Sequence, residues 1–200
     1  MRRVGWVIFA VLLCTVPVVA WLRVAQRPVE KPLRHLGTMP ALNLTTQEGK
    51  PFDAERLRGK VRIVDFIFTR CAQICPRLTD ELRRVQETLR THALPVEIVS
   101  ISVDPDNDTP AALKDFAAKH HADLSNWTFL TGPAATIDDI VMRGFKQGID
   151  RALGDGGVNV THGSRLVLVD AEAGLRGLYD TTDATAMTLL VKDIDRLVHP

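Results

Sequence analysis

The chain has 200 residues, of which 46% are hydrophobic and 24% charged, with 25 basic side chains against 24 acidic ones. That balance excludes a disordered chain and a coiled coil, and a formal net charge of +1 without a Lys/Arg cluster leaves no footprint for nucleic acid. Three cysteines in a chain long enough to bury an ordinary core also exclude a disulfide-stapled miniature fold.

The hydrophobicity is unevenly placed. Val4 to Leu22 is a run of nineteen residues without one charge. As a helix rising about 1.5 Å per residue it covers roughly 29 Å, close to the ~30 Å hydrocarbon core of a bilayer. Trp6 and Trp21 stand near its ends, and Arg2 and Arg3 precede it. Residues 1–22 therefore read as a signal anchor with its N-terminus in the cytoplasm, an asymmetry that Arg23 and Arg27 weaken. The rival is a cleaved signal peptide with Val18-Val19-Ala20 as its small-residue site, but the apolar run exceeds the ~7–15 residues usual there. Cys14 lies inside the run behind Leu13, which argues against a lipoprotein cleavage site and for a small apolar filler. Residues 23–40 carry Pro28, Pro32 and Pro40 among scattered charges with no period, and read as a tether with a reach of roughly 60 Å.

Residues 41–200 form the expected globular head, in which strand and helix patterns alternate. Leu42–Leu44 and Pro51–Asp53 flank Gln47-Glu48-Gly49-Lys50 as a short hairpin. Val61–Phe68 is dense in Val, Ile and Phe, as a strand buried on both faces should be. Leu78, Leu82, Val85 and Leu89 then recur at helical spacing, with Pro76 suited to the first helical position. A strand at Val96–Val103 precedes a helix that starts at Pro110, is capped by Asp108 or Thr109, and ends near His121. The pattern continues with a strand at Trp127–Leu130 and a helix bearing Ile137, Ile140, Val141 and Phe145. A Gly-rich loop from Gly148 to Asn159, strands Arg165–Asp170 and Leu175–Tyr179, and a helix from about Ala184 complete it. The alternation predicts an α/β fold with an open, largely parallel sheet covered on both faces, its last two strands forming an antiparallel hairpin.

The chemistry gathers at Cys71-Ala72-Gln73-Ile74-Cys75-Pro76, between strand and helix, where such sheets place ligands. A helix N-terminus facing the sulfurs favours thiolate over thiol, which serves metal ligation and disulfide exchange alike. Two buried core cysteines are the plain alternative, disfavoured for cysteines paired at such a turn in an exported protein. Of six histidines, His35 falls in the tether, His92 in a turn and His199 near the end, while His120 and His121 close a helix. His162 differs, lying after the Gly-rich loop and before a buried strand. Taken alone, a loop histidine is more often a solvated or capping group. In a thioredoxin-like order of elements, however, the loop before the penultimate strand faces the cysteine turn, by fold-level analogy.

Three separated motifs carry a resemblance. Phe66-Ile67-Phe68-Thr69-Arg70-Cys71-Ala72-Gln73-Ile74-Cys75-Pro76, Ser102-Val103-Asp104-Pro105-Asp106-Asn107-Asp108-Thr109-Pro110 and His162-Gly163-Ser164 together resemble the Sco/SenC family, across nearly the whole head. The resemblance implies a thioredoxin-like fold behind an N-terminal transmembrane helix, and copper bound through Cys71, Cys75 and His162. It further implies a role in assembling the binuclear copper centre of cytochrome c oxidase, with the copper-bearing oxidase subunit as partner and other copper chaperones or thiol reductants beside it. Asp104 and Asp108 belong to a family motif near the ligands, although a helix cap is the sober reading of Asp108. Ala72 departs from the proline common after the first cysteine. Thr161 departs from the aspartate often found before the histidine, which alters the charge around a metal.

Two soft thiolates and an imidazole suit three-coordinate Cu(I) and, with water or another donor, Cu(II), whereas zinc is the bland rival for the same set. The function expected is thus a membrane-tethered copper chaperone, with a thiol-disulfide oxidoreductase acting through Cys71 and Cys75 as the alternative and a peroxidase a distant third. Only three residues precede Val4, too few for a mitochondrial transit peptide, so a single-pass protein of the bacterial plasma membrane with a periplasmic head is expected. The full chain should therefore partition with membranes. Protease added to intact spheroplasts should remove the head, and protection of the head there would overturn the topology.

Overall fold

The computed structural model describes residues 32–71, 74–150, 159–161 and 164–199. The predicted anchor, residues 1–22, lies outside them, and among the described residues no helix is long and apolar enough to cross a membrane. The head begins earlier than its composition suggests. Its compact unit starts at Leu33, because Leu33–Met39, expected to be tether, is laid along a sheet edge. Leu36 N–H donates to Leu175 O at 2.8 Å and Met39 N–H to Ala173 O at 2.7 Å. The segment is held at Leu36–Met39 by backbone pairing on the β9 edge, which hydrophobic period does not reveal.

In chain order the strands and helices are β1 (Gly37–Thr38), β2 (Thr45–Thr46), β3 (Val61–Ile67), α1 (Ile74–Thr91), β4 (Val96–Ser102), α2 (Pro110–Lys119) and β5 (Trp127–Thr131). There follow α3 (Ala134–Asp139), continued by a π-helical turn at Ile140–Gly144, then β6 (Gly148–Asp150), β7 (Asn159–Thr161), β8 (Arg165–Val169), β9 (Gly174–Asp180) and α4 (Ala184–Val198). Seven strands form one sheet in the order β1-β9-β8-β3-β4-β5-β2. Only β3–β4 and β4–β5 pair in parallel, so the sheet is mixed rather than largely parallel. The connection from β8 to β9, the four residues from Asp170 to Ala173, is too short for a crossover and joins antiparallel neighbours, and β8 enters beside β3 without a covering crossover helix.

Local chemistry explains the elements. Every residue of β3 is buried, and its side chains alternate between two cores. Ile63 and Ile67 face α1, α2 and α4 with Leu78, Leu82 and Ile194, while Val64 and Phe66 face α3 with Ile137 and Val141. Helix α1 begins two residues before Pro76. Proline is tolerated there because the first four helical amides have no intrahelical acceptor. Thr109, not Asp108, caps α2, accepting from Ala112 N–H. Gly144 is required by close approach, since a Cβ there would lie 2.3 Å from Pro40 Cγ. The expected hairpin around Gln47–Lys50 is present only as a turn with a single Thr45–Pro51 bridge, β2 pairing instead with β5. The segment predicted as a Gly-rich loop from Gly148 to Asn159 begins in β6, which pairs with β7 where the loop ends.

One residue breaks the apolar run of β3. Asp65 is fully buried in the core beneath α1, and one of its oxygens accepts from Ser100 Oγ at 2.6 Å, which in turn accepts from Trp127 Nε1 at 2.8 Å. Its Oδ2 and the buried Thr79 Oγ1 have no partner. Burial raises the Asp65 pKa to about 7 against the lowering pull of the Ser100 bond. The unfolded carboxyl titrates near ~3.9. Between those values the native state binds a proton that the unfolded chain has released, so stability falls as pH rises from about 4 through 7 and the loss is complete above it. Asp65→Asn, which keeps an acceptor for Ser100, should flatten this limb and exceed the wild type in stability at alkaline pH. Urea unfolding at several pH values checks it, and parallel curves for the two proteins would refute it.

Candidate metal centre

The cysteines sit where the central strand ends. β3 stops at Ile67, and Phe68, Thr69, Arg70 and Cys71 make a tight turn closed by Cys71 N–H donating to Phe68 O at 3.2 Å. Phe68 anchors it by packing against both cores. Cys75 falls in the first turn of α1, so its amide has no helical acceptor and donates instead to Cys71 Sγ at 3.2 Å. The helix N-terminus thus faces the first sulfur through a directed N–H. The two cysteines are not joined by a disulfide.

The sulfurs are unequal. Cys71 is half-buried, whereas Cys75 is 4% exposed and belongs to the core. Burial pushes the Cys75 thiol far above its ordinary range, a hydrogen bond from the Phe68 backbone pulls it back in part, and the neighbouring Cys71 sulfur and Asp65 carboxyl add to the rise. The pair has an outer sulfur open to a partner and an inner one that stays protonated until something replaces its proton. Such a pair can close to a disulfide or hold one soft metal between two sulfurs.

The two aspartates of the predicted motif approach the turn, but through its other residues. Asp104 accepts from Arg70 Nη2 at 2.9 Å and Nε at 3.3 Å. Asp108 accepts from the Thr69 amide at 3.1 and 3.2 Å, the Thr69 hydroxyl at 2.6 Å and the Ser102 hydroxyl at 2.5 Å. Asp108 is fully buried and its carboxyl is raised by that burial, against the hydrogen bonds from Ser102 and Thr69. Reading Asp108 as a helix cap is corrected by Thr109, which takes that role and leaves the carboxylate for the cysteine turn.

His162 lies outside the described residues, as do Ala72 and Gln73. The flanks of its loop are held: Thr161 pairs with Gly148, and Ser164 O accepts from Thr181 N–H at 2.8 Å and its hydroxyl at 2.9 Å. Elsewhere, His120 pairs with Asp80 at 3.3 Å and His92 Nδ1 contacts Thr88 O at 2.8 Å. Among the described residues no group of three or more His, Cys, Asp or Glu side chains is placed to hold a metal. The described part of the centre therefore supplies two sulfur donors. Thr69 and Ser102 stand inside the two motifs that carry the resemblance, but neither had a role assigned to it. Asp65 was not singled out, and the available signal was a lone acid within an apolar strand.

The family model described as SCO1/SenC matches residues 33–199. A SCO1 protein homolog of Bacillus subtilis is 35% identical over 149 residues, covering 74% of this chain and 76% of that protein. A putative copper-binding protein of Stutzerimonas stutzeri is 32% identical over 149 residues, covering 70% of this chain and 67% of the other. Among solved structures, BsSco, described as having a disulfide switch and as a member of the Sco family of cytochrome c oxidase assembly proteins, superposes with a TM-score of 0.74. It is 30% identical, with 84% of this chain and 98% of that one covered. The shared architecture is the α/β thioredoxin-like fold of Sco proteins.

The asymmetry of the pair has a direct readout. In the folded reduced protein, iodoacetamide should modify Cys71 at least about tenfold faster than Cys75, because the outer sulfur is the more accessible one while burial holds the inner thiol in its protonated form. Peptide mapping over time measures both rates; equal labelling would contradict this arrangement of the sulfurs.

Proposed function

This chain belongs to the SCO1/SenC family, and from that membership we propose that it is a membrane-tethered copper chaperone that delivers copper to the binuclear copper centre of cytochrome c oxidase during assembly. The observation that carries the reading is the Cys71–Cys75 pair at the head of α1, joined by the Cys75 N–H to Cys71 Sγ bond. Copper is the cargo. Two soft sulfurs match Cu(I), and His162, assigned by family resemblance, supplies the third donor. A set short of a closed tetrahedron leaves room for a ligand from the receiving protein. Cys71, the more exposed sulfur, is the one an incoming ligand displaces first, and Cys75 releases last and recovers its proton. The copper-bearing oxidase subunit is the proposed recipient, and residues 1–22 are the proposed single-pass anchor holding the head on the periplasmic side of a bacterial plasma membrane. Docking of Leu33–Met39 shortens the tether to residues 23–32, about 35 Å if extended.

A second reading, thiol-disulfide exchange on a partner's cysteines, draws on the same sulfurs: an accessible outer thiol and a buried inner one can attack and resolve a mixed disulfide. His162 separates the two, because exchange requires no imidazole. His162→Ala should lose Cu(I) affinity in competition with a chelator and lower the copper content of the oxidase under limiting copper, while reduction of a test disulfide changes little. Normal oxidase copper in cells carrying only this variant would reject the chaperone reading in favour of exchange. Loss of Cu(I) binding in Cys71→Ala with Cys75→Ala is the expected companion result, and intact binding there would place the site elsewhere.

A further inference from the structure

The turn that presents Cys71 has Thr69 and Arg70 at its two central positions, and each is held by a different carboxylate of the β4–α2 loop. Asp104 takes Arg70 and is itself steadied by Asn107 Nδ2 at 2.9 and 3.1 Å. Asp108 takes both polar groups of Thr69. The two holds differ in strength. The Arg70 side chain is 54% exposed, so water and salt screen its pair with Asp104. Asp108 has no exposed surface, and its hydrogen bonds are short, charge-assisted and made away from water.

Asp108 also accepts from the Ser102 hydroxyl, which anchors the carboxylate to the end of β4, and its remaining donors all come from the cysteine turn. Thr109 caps α2. Val103 N–H to Ile67 O, at 2.9 Å, already ties β4 to β3 at the last rung before the turn. Beyond that rung, Asp108 is what fixes Thr69, and only Arg70 separates Thr69 from Cys71. The Cys71 N–H to Phe68 O bond closes the turn over the same two residues, so a displacement of Thr69 reaches the sulfur without a flexible stretch to absorb it.

We propose that Asp108 is a positioning residue for Cys71: by holding Thr69 inside the turn it fixes the outer sulfur against the amide of Cys75, and so raises the effective concentration of one sulfur toward the other, both for disulfide closure and for joint capture of Cu(I). The capture of Cu(I) rests on the function proposed above; the disulfide closure does not. In closure each thiol gives up its proton and the pair gives up two electrons, forming the Cys71–Cys75 bond, while glutathione disulfide is split and takes up both electrons and both protons as two glutathione thiols.

The experiment uses the full chain purified in detergent, in five forms: wild type, Thr69→Val, Thr69→Ser, Asp108→Asn and the double variant Thr69→Val with Asp108→Asn. For each, the dithiol–disulfide equilibrium constant is measured in glutathione buffers, Cu(I) affinity by chelator competition, and the melting temperature. Thr69→Val and Asp108→Asn should each lower the equilibrium constant and the Cu(I) affinity by about threefold or more, with the double variant no weaker than the weaker single one. Thr69→Ser, which keeps the hydroxyl, should stay within about twofold of wild type. A Thr69→Val protein within about twofold of wild type in the disulfide equilibrium, or a Thr69→Ser protein as weak as Thr69→Val, overturns the proposal. If Asp108→Asn fails to fold, the two Thr69 variants decide. If the wild type binds no Cu(I) but its disulfide equilibrium responds as stated, the chaperone reading falls and the positioning role stands.

Discussion

Strand β3 lies inside the sheet with every residue from Val61 to Ile67 buried, so its backbone must be paired on both sides. A shift of one residue would turn Ile63 and Ile67 out of one core and Val64 and Phe66 out of the other. The register with β4 is therefore fixed along the whole strand, from Val61 opposite Val96 to Ile67 opposite Ser102. Everything at the cysteine turn inherits that placement. Phe68 is wedged against both cores, Cys71 follows on a closed turn, and α1 must start close by because Cys75, Leu78 and Leu82 pack onto the same face as Ile63 and Ile67.

The same packing makes the two sulfurs different. Cys75 is drawn into the core by its place on the inner face of α1, where desolvation favours the neutral thiol. Cys71 stays at the surface of the turn and receives the helical amide that Cys75 has to spare. In the proposed carrier role, a soft cation bound between them would replace the inner proton and be held at the outer sulfur, which would give arrival and departure one accessible side. The proposed role would benefit from this: a fully enclosed site would bind well and release slowly, while a fully exposed pair would lose copper to any competing thiol.

Two buried carboxylates flank this pair from different elements, and they are satisfied to different degrees. Asp108 has donors on both oxygens and acts as a rigid joint between the β4–α2 loop and the cysteine turn. Asp65, deeper in the same core as Cys75, has one oxygen bonded through Ser100 toward Trp127 and the other without a partner. An incompletely satisfied carboxyl in a hydrophobic core destabilises the fold, most of all when ionised. Natural domains tolerate such groups chiefly near functional sites.

What the sequence by itself determined is whatever depends on local order along the chain. The apolar period of α1, the dense run of β3 and the Cys71-to-Cys75 spacing place a reactive pair between a buried strand and a helix, and three motifs in register identify the family. Side-chain pattern is a property of each element alone, so it survives without knowledge of neighbours. The tertiary structure decided what depends on partners. It placed Leu33–Met39 on the β9 edge, paired β2 with β5, made the sheet mixed, and gave the capping role to Thr109 so that Asp108 could reach Thr69, thirty-nine residues away. A carboxylate beside a helix start reads in sequence as a cap, because the local hydrogen bond is always available; only the folded chain shows that a more distant pair of donors has taken it.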